Sequence, residues 1–128
     1  MAKMSNYLEN AIMNHILRNV AYTPASTLYL SLYTTSPEDN DVGTEVSGGD
    51  YARQVITFNA PSNGVCTNSS DVTFPTASAI WGTVTHVGIR DALTSGNLLY
   101  HGNLSISKVV SAGDQFKVLS GNLSISID

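Results

Sequence analysis

Apolar and polar residues alternate along most of this sequence, in short segments separated by clusters of Gly, Ser, Asn and Asp. In the segment "TLYLSLYTT", Leu28, Leu30 and Leu32 point to one side of the backbone and the residues between them point to the other. A period of two residues is typical of a β-strand. Because both rows of side chains in this segment are partly apolar, we expect this strand to be central and covered on both faces. Because such segments recur at intervals of roughly 8–12 residues with turn residues between them, the sequence predicts an antiparallel β-sandwich or a barrel-like sheet.

The N-terminal segment has a different period and predicts the single helix of the chain. This helix is expected over about residues 6–20, with Asn6 as its N-cap and Glu9 three residues later, as in a capping box. Pro24 follows it, and the residue before a proline is pushed out of the helical region. The helix is amphipathic, and we expect it to cover an open face or end of the sheet. Its apolar residues are Leu8, Ile12, Met13, Ile16, Leu17 and Val20.

The length of the chain limits the number of domains. A chain of 128 residues has the size of one domain and can bury about two-thirds of the surface that it exposes when unfolded. We therefore expect residues 1–128 to form one mainly β domain, with the helix at its N-terminus, that folds without a disulfide or a metal.

The six residues "GNLSIS" occur twice, at Gly102–Ser107 and at Gly121–Ser126. In both copies Leu and Ile alternate with Ser, which is typical of a half-buried strand with its apolar residues inside. A solenoid would need at least three units of fixed period, and the sequence contains two. We therefore expect two strands in equivalent environments, with a duplicated hairpin as the alternative.

The charge of the chain excludes several kinds of partner. The formal net charge is −4, and the six Lys and Arg residues are scattered, so we expect no nucleic-acid partner.

The sequence has no apolar run of about 18 residues, so we expect no membrane partner, and no apolar segment follows Lys3 as in a secretory signal. Cys66 is the single cysteine, which excludes an internal disulfide and fits synthesis in a reducing cytoplasm.

The residues that could carry chemistry do not form a recognisable motif. The histidines His15, His86 and His101 stand alone, without the close spacing of a zinc site, although the last two could face each other across neighbouring strands. The "EDNDVGTE" segment does not have the ligand spacing of a calcium loop, and a G-x-S-x-G nucleophile elbow is absent. We therefore predict no catalytic, cofactor-binding or metal-binding residues, and a protein that is not an enzyme and has no cofactor.

Five longer motifs carry a resemblance to a known family. The chain resembles a family of small tailed-bacteriophage virion proteins, often labelled tail fibre proteins, from about Asn6 to Asp128. The resemblance implies a non-enzymatic structural protein that is made in the cytoplasm of the bacterial host and located in the virion. The motifs are "LYTTSP" at Leu32–Pro37, "TEVSGGDYARQ" at Thr44–Gln54, "VTFPTA" at Val72–Ala77, "WGTVTHVGIRD" at Trp81–Asp91 and "GNLLYHG" at Gly96–Gly102.

The size of the chain guides the prediction of its place in the virion. A receptor-binding fibre needs a long shaft of repeats or coiled coil, which this length and one helix do not supply. We therefore favour a head decoration (cement) protein that binds the major capsid protein and stabilises the capsid lattice. The alternative is a tail-fibre or tail module that binds tail proteins, for virion architecture or host recognition, and a small virion-associated hydrolase is the third hypothesis. The low share of charged residues, 12%, is consistent with packing against neighbours in a homo-oligomer, with an ordinary soluble monomer as the alternative.

We expect partners to bind a surface rather than a pocket. The candidate surfaces are the segment Ser36–Asp50, here called the acidic loop, the first predicted strand, and the N-terminal arm Met1–Ser5. The Gly48–Gly49 pair permits a turn that anchors this loop, and Arg53 is expected to pair with Asp50 or another loop acid. The strand aromatics are expected mainly as core and cross-strand pairs, and for Tyr22, Tyr29 and Tyr33 contact with a partner is the alternative. These aromatics are Tyr29, Tyr33, Tyr51, Phe58, Phe74, Trp81, Tyr100 and Phe116. The predicted interface residues are Tyr29, Tyr33, Asp39, Asp41, Glu45, Tyr51 and Arg53.

Overall fold

The computed structural model describes residues 2–127, so Met1 and Asp128 lie outside the described residues. It contains one helix, α1 (Asn6–Leu17), and nine strands that follow the alternating segments of the sequence. The strands are β1 (Lys3–Met4), β2 (Leu28–Tyr33), β3 (Gln54–Ile56), β4 (Val65–Thr67), β5 (Val72–Thr73), β6 (Gly82–Arg90), β7 (Leu98–Val110), β8 (Lys117–Val118) and β9 (Ser124–Ser126).

The strands form three antiparallel sheets. The largest has the order β1–β7–β6–β2–β3, and β4 pairs with β9 and β5 with β8 in two small sheets. This confirms the predicted mainly β, antiparallel fold with an N-terminal helix. The large sheet ends at β1 on one side and β3 on the other, and these two strands do not pair, so the barrel-like alternative is wrong for the described part of the chain.

Strand β2 is central, as the alternation predicted. Leu30 lies opposite Ile89 of β6, Leu32 lies opposite Val87, and both leucines are fully buried. Ser31 and Tyr33, on the other face of the same strand, are buried as well. The large sheet is therefore covered on both faces, and a strand of this kind contributes buried side chains to two different layers.

Aromatic side chains fill the space between the leucine face of the large sheet and the small sheets. Tyr51 stacks on Phe74 with ring centroids 6.0 Å apart, and Trp81 meets Tyr51 edge-on at 5.4 Å. Phe116 meets Phe74 edge-on at 5.8 Å. Trp81 also donates from Nε1 to the carbonyl oxygen of Gly49, at 2.9 Å. For these four rings the interpretation as core aromatics is confirmed, with the geometries that aromatic pairs prefer.

The helix begins and ends at different residues from those predicted. Its N-cap is Ser5, whose Oγ accepts a hydrogen bond from the Leu8 amide at 3.2 Å and donates to the carbonyl oxygen of Leu98 in β7. Asn6 is the first helical residue and is exposed, so its prediction as the cap is wrong. Ser5 is the cap because its hydroxyl accepts a hydrogen bond from an amide of the first helical turn and also donates one to the neighbouring strand. The helix ends at Leu17, before a left-handed Asn19 with φ of 57°.

Most of the apolar face of α1 is not covered. Leu8 is buried, whereas the side chains of Met13, Ile16 and Leu17 are 58%, 70% and 68% exposed. The expectation that this whole face packs on the sheet is therefore wrong. The helix is fixed at its N-terminal end, by Ser5 and Leu8, and its last turns present apolar side chains outward.

The two copies of "GNLSIS" are not equivalent. Strand β7 has 13 residues and its partner β6 has 9, and two breaks in register account for the four extra residues of β7: three lie between Asn103 and Lys108, and one is Leu99. The register moves from His86↔Asn103 to Val84↔Lys108, which leaves residues 104–107 opposite Thr85 alone. Ile106 in this bulge is 70% exposed, whereas Ile125 of the second copy is buried in the core. The prediction of equivalent environments is therefore wrong, because the bulge takes Ile106 out of the core while Leu104 still packs against it.

We expect Ser5→Ala to lower the free energy of unfolding by about 1–2 kcal/mol, because the substitution removes the helix cap and leaves the buried Leu98 carbonyl without its side-chain donor. The measurement is urea denaturation followed by circular dichroism. Asn6→Ala is the matched control, and we expect it to change stability by less than about 0.5 kcal/mol because the Asn6 side chain is exposed. Equal losses in both variants would contradict the assignment of the cap.

Candidate functional site

The predicted interface residues lie around the acidic loop, and the structure pairs three loop carboxylates with three buried basic side chains. Asp41 pairs with Arg90 of β6, Glu45 with Arg53, and Asp39 with His101 of β7. Two of these basic residues belong to the central strands of the large sheet. The loop is therefore held against the sheet by charge as well as by backbone hydrogen bonds.

Arg90 is the centre of the first pair. Its guanidinium donates from Nη1 to Asp41 Oδ1 at 2.8 Å and from Nη2 to Asp41 Oδ2 at 2.9 Å, a bidentate geometry. Nη1 also donates to the Tyr33 hydroxyl at 2.9 Å, and Nη2 donates to the carbonyl oxygen of Gly96 at 3.1 Å. Burial alone would lower the pKa of Arg90, but the hydrogen bonds to Asp41 and Tyr33 more than offset it and raise the pKa.

A glycine makes room for this arrangement on the sheet. A Cβ atom on Gly88 would lie 2.8 Å from Cε2 of Tyr33 and 2.8 Å from Cδ1 of Leu98. The Tyr33 ring therefore lies directly over the backbone of β6, where its hydroxyl reaches Arg90 and also accepts from Ser31 Oγ at 3.1 Å. A side chain at position 88 would displace the tyrosine that Arg90 needs as a partner.

The second pair joins the loop to the aromatic core. Arg53 donates from Nε to Glu45 Oε2 at 2.9 Å and from Nη2 to Oε1 at 2.8 Å, and the Tyr51 hydroxyl donates to Oε2 at 2.6 Å. The same hydroxyl accepts from the Leu32 amide at 3.0 Å. Burial would raise the pKa of Glu45, but the hydrogen bonds from Arg53 and Tyr51 outweigh burial and lower the pKa. Burial and the bond to Glu45 raise the pKa of Tyr51 well above its usual range.

The third pair links the loop to β7. His101 is 6% exposed, and its Nε2 lies 2.7 Å from Asp39 Oδ1. His86 and His101 are not direct cross-strand partners, because the register pairs His86 with Asn103 and His101 with Gly88. They lie at diagonal positions on one face of the sheet. Within residues 2–127, no group of three or more His, Cys, Asp or Glu side chains is placed to hold a metal ion.

The seven predicted interface residues therefore have internal partners or places within the sheet. Six of them form the three pairs and their tyrosine contacts, and Arg53 pairs with a loop acid, Glu45, rather than with Asp50. Tyr29 is half-buried in β2, opposite Val55 and Arg90. Of the predicted N-terminal arm, Lys3 and Met4 form β1 and pair with β7. Contact with another protein remains a prediction for all these residues.

Two groups of neighbouring exposed apolar side chains lie outside the predicted interface residues. One is the outer face of α1, and the other is the bulged half of β7, where Ile106 is 70% and Val109 64% exposed. The helical period of the first surface was visible in the sequence, but it gave no sign of which residues would be uncovered. The second surface depends on the bulge, which no local motif in the sequence announces.

Comparison with known proteins gives one family. A family model described as podophage GP4 fiber I protein gp80 matches residues 3–126, nearly the full chain. No curated protein matches the sequence. No helix in the described part of the chain is long and apolar enough to cross a membrane.

We expect Asp41→Asn to lower the free energy of unfolding at neutral pH by about 1–3 kcal/mol, because it removes the carboxylate that compensates the buried Arg90. Asp50→Asn is the matched control. Both aspartates have a left-handed backbone, with φ of 60° and 64°, and Asp50 is exposed. Urea denaturation checks the prediction, and a loss in the control as large as that in Asp41→Asn would contradict it.

The lowered pKa of Glu45 predicts a pH dependence. A carboxyl whose pKa is lower in the folded state stabilises the fold above its unfolded pKa, about 4.3, and that contribution is lost as the pH falls through the folded value. We therefore expect the stability difference between the natural chain and Glu45→Gln to be largest at neutral pH and to shrink below about pH 4. Thermal melting between pH 7 and pH 3 measures it, with the exposed Glu38→Gln as control. A difference that stays constant over this range would be inconsistent with the assignment.

Proposed function

Because this chain belongs to the podophage GP4 fiber I protein gp80 family, a family of structural phage proteins, we propose that it is a fibre-type subunit of the virion. The observation that carries the proposal is the length of the match, residues 3–126, which includes the helix and all nine strands of the described residues. Its function is assembly: it contributes a rigid β module and binds other virion proteins through its surface.

The family description supports the tail-fibre alternative better than the head decoration role that size alone favoured. It names a fibre and does not name the capsid. The described residues form one β module with a single helix, which is suited to be one part of a larger fibre assembly. We therefore propose a place in the fibre or at its attachment to the tail, with tail proteins as partners.

A structural function is supported by how the charged groups of the acidic loop are used. Asp41 and Glu45 each accept two hydrogen bonds from an arginine, so neither is poised as a free general base. The pairs fix the shape of the loop, and a fixed shape is what a module needs when it is built into an assembly. These observations support a protein that acts without catalysing a reaction.

The outer face of α1 is the surface that we propose for attachment. Met13, Ile16 and Leu17 expose more than half of each side chain on one side of two successive turns. Exposed apolar patches of this kind mark protein–protein contacts in soluble proteins. The same patch on several copies could join them, which keeps the homo-oligomer as part of the proposal.

Immunogold labelling of intact phage particles with an antibody to this chain tests the location. We expect gold on the tail or its fibres. Gold spread over the head would overturn the fibre proposal in favour of decoration, and particles without gold would overturn the virion assignment itself.

A variant of α1 tests the attachment surface in the same particles. We expect Ile16→Ser with Leu17→Ser to lower incorporation about thirtyfold, because two exposed apolar contacts are lost, each worth about 1 kcal/mol at a buried interface. Val42→Ser with Ile80→Ser is the control, since these side chains are 64% and 67% exposed outside the helix. Both double variants should melt as the natural chain does. Equal incorporation of the two would place the attachment surface elsewhere.

A further inference from the structure

A groove runs between the bulged half of β7 and the strands β8 and β9. It consists of two adjoining hollows with cavity volumes of about 300 and about 570 Å³, which share Leu104, Ser105 and Asn122 in their walls. Leu104 and Asn122 belong to the two copies of "GNLSIS", so the two copies face one groove from opposite sides. The acidic loop does not line either hollow.

The strands along this groove have unpaired edges. Strand β1 pairs with Tyr100 and His101 of β7 only, so that edge of β7 has no strand beside it from Gly102 onward among the described residues. In the same part of the chain, β8 pairs only with β5, and β9 only with β4. An unpaired edge presents backbone N–H and C=O groups that another extended chain can satisfy.

The bulge of β7 makes more backbone groups available to another extended chain. Residues 104–107 are out of register with β6, where Thr85 alone stands opposite them. Their backbone is therefore less committed to the sheet than that of the rest of β7. The first hollow also has an apolar floor, formed by Val87 and Ile89 of β6 and by Leu123 and Ile125 of the second repeat copy. Unpaired backbone beside apolar pockets matches an extended peptide with alternating side chains.

The charges along the groove restrict the occupant further. The chain has a net charge of −4, but the groove is lined by two lysines, Lys108 and Lys117, and by one carboxylate, Asp114. Asp114 accepts a hydrogen bond from the Ser111 amide at 2.9 Å, so it is occupied within its own turn. Lys117 lies 3.7 Å from Asp71, with both side chains about half exposed. Lys108 is exposed and without an ion pair in the described residues.

We infer that this groove binds an extended segment of another virion protein as an added β-strand, with apolar side chains on the groove floor and a carboxylate beside Lys108. The inference rests on the proposed function, since it names the chemistry of a partner in the assembly. A second copy fits less well, because pairing β7 with β7 would bring the Lys108 side chains of both copies to one interface, where like charges repel.

Site-specific photocrosslinking in assembled particles tests the inference. A benzophenone amino acid replaces Ser105 or Asn122, which are exposed residues on opposite walls of the groove, and Thr94 in the β6–β7 turn serves as the control position. We expect both groove positions to crosslink to one segment of another virion protein that alternates apolar and polar residues and contains Asp or Glu. Crosslinks only to a second copy, or none from the groove in particles that contain the chain by immunoblot, would overturn the inference while leaving the proposed function intact. Particles without the chain would overturn the proposed function first.

A charge reversal tests the position of the carboxylate. We expect Lys108→Glu to reduce the crosslinking yield from Ser105 about threefold to tenfold, because it replaces an attraction by a repulsion at a partly exposed pair. Lys3→Glu makes the same charge change on β1, outside the groove, and should leave the yield unchanged. Both lysines are exposed, so both variants should melt as the natural chain does. An unchanged yield with Lys108→Glu would overturn the assignment of an acidic partner at this position.

Discussion

The guanidinium of Arg90 is buried on one face of the large sheet, and the residues around it must supply its hydrogen-bond partners. A buried charge is tolerated only when it is paired and hydrogen-bonded. Arg90 obtains its partners from three places: Tyr33 on the neighbouring strand, the Gly96 carbonyl in the next turn, and Asp41 in the acidic loop. Its Nε has no hydrogen-bond partner within residues 2–127, so the buried charge of Arg90 needs the two hydrogen bonds to the Asp41 carboxylate. Arg90 is therefore one of the three basic residues that hold the acidic loop, and its contact with Tyr33 requires that position 88 carries no side chain.

The two faces of the sheet are stabilised by different physical effects, and this division shapes the proposals for function. Apolar burial and aromatic contacts stabilise the face toward the small sheets, while ion pairs and the Tyr33 hydroxyl stabilise the face toward the loop. The carboxylates of the acidic loop, which the sequence suggested as partner contacts, are thereby paired with basic side chains of the same molecule. The surfaces left for partners are apolar or edge-like: the outer face of α1 and the groove beside the β7 bulge.

Local patterns in the sequence predicted local structure well and long-range structure poorly. The alternation in β2 correctly predicted a central strand, because both rows of its side chains are partly apolar and burial on both faces follows from that local pattern. The cap was missed because Ser5 is selected by a carbonyl in β7, 93 positions away, as well as by its own helix. The bulge was missed because it depends on the register between β6 and β7, which the six residues "GNLSIS" do not determine, since they are identical in both copies. Likewise, Arg53 was correctly expected to pair with a loop acid. That the acid is Glu45 was not predicted, and the Tyr51 hydroxyl donates to the same carboxylate.

The ion pairs of the acidic loop also set an order of events during synthesis of the chain. Asp41 precedes Arg90 by 49 positions, and Asp39 precedes His101 by 62. At roughly 5–20 residues per second, the loop leaves the ribosome several seconds before the strands that contain its basic partners. Throughout that interval Asp39 and Asp41 lack their basic partners, whereas Glu45 and Arg53 emerge almost together, and β2 does not yet have its neighbour β6. The sheet closes only when the last third of the chain arrives, so a truncated product would lack the fold rather than retain part of it.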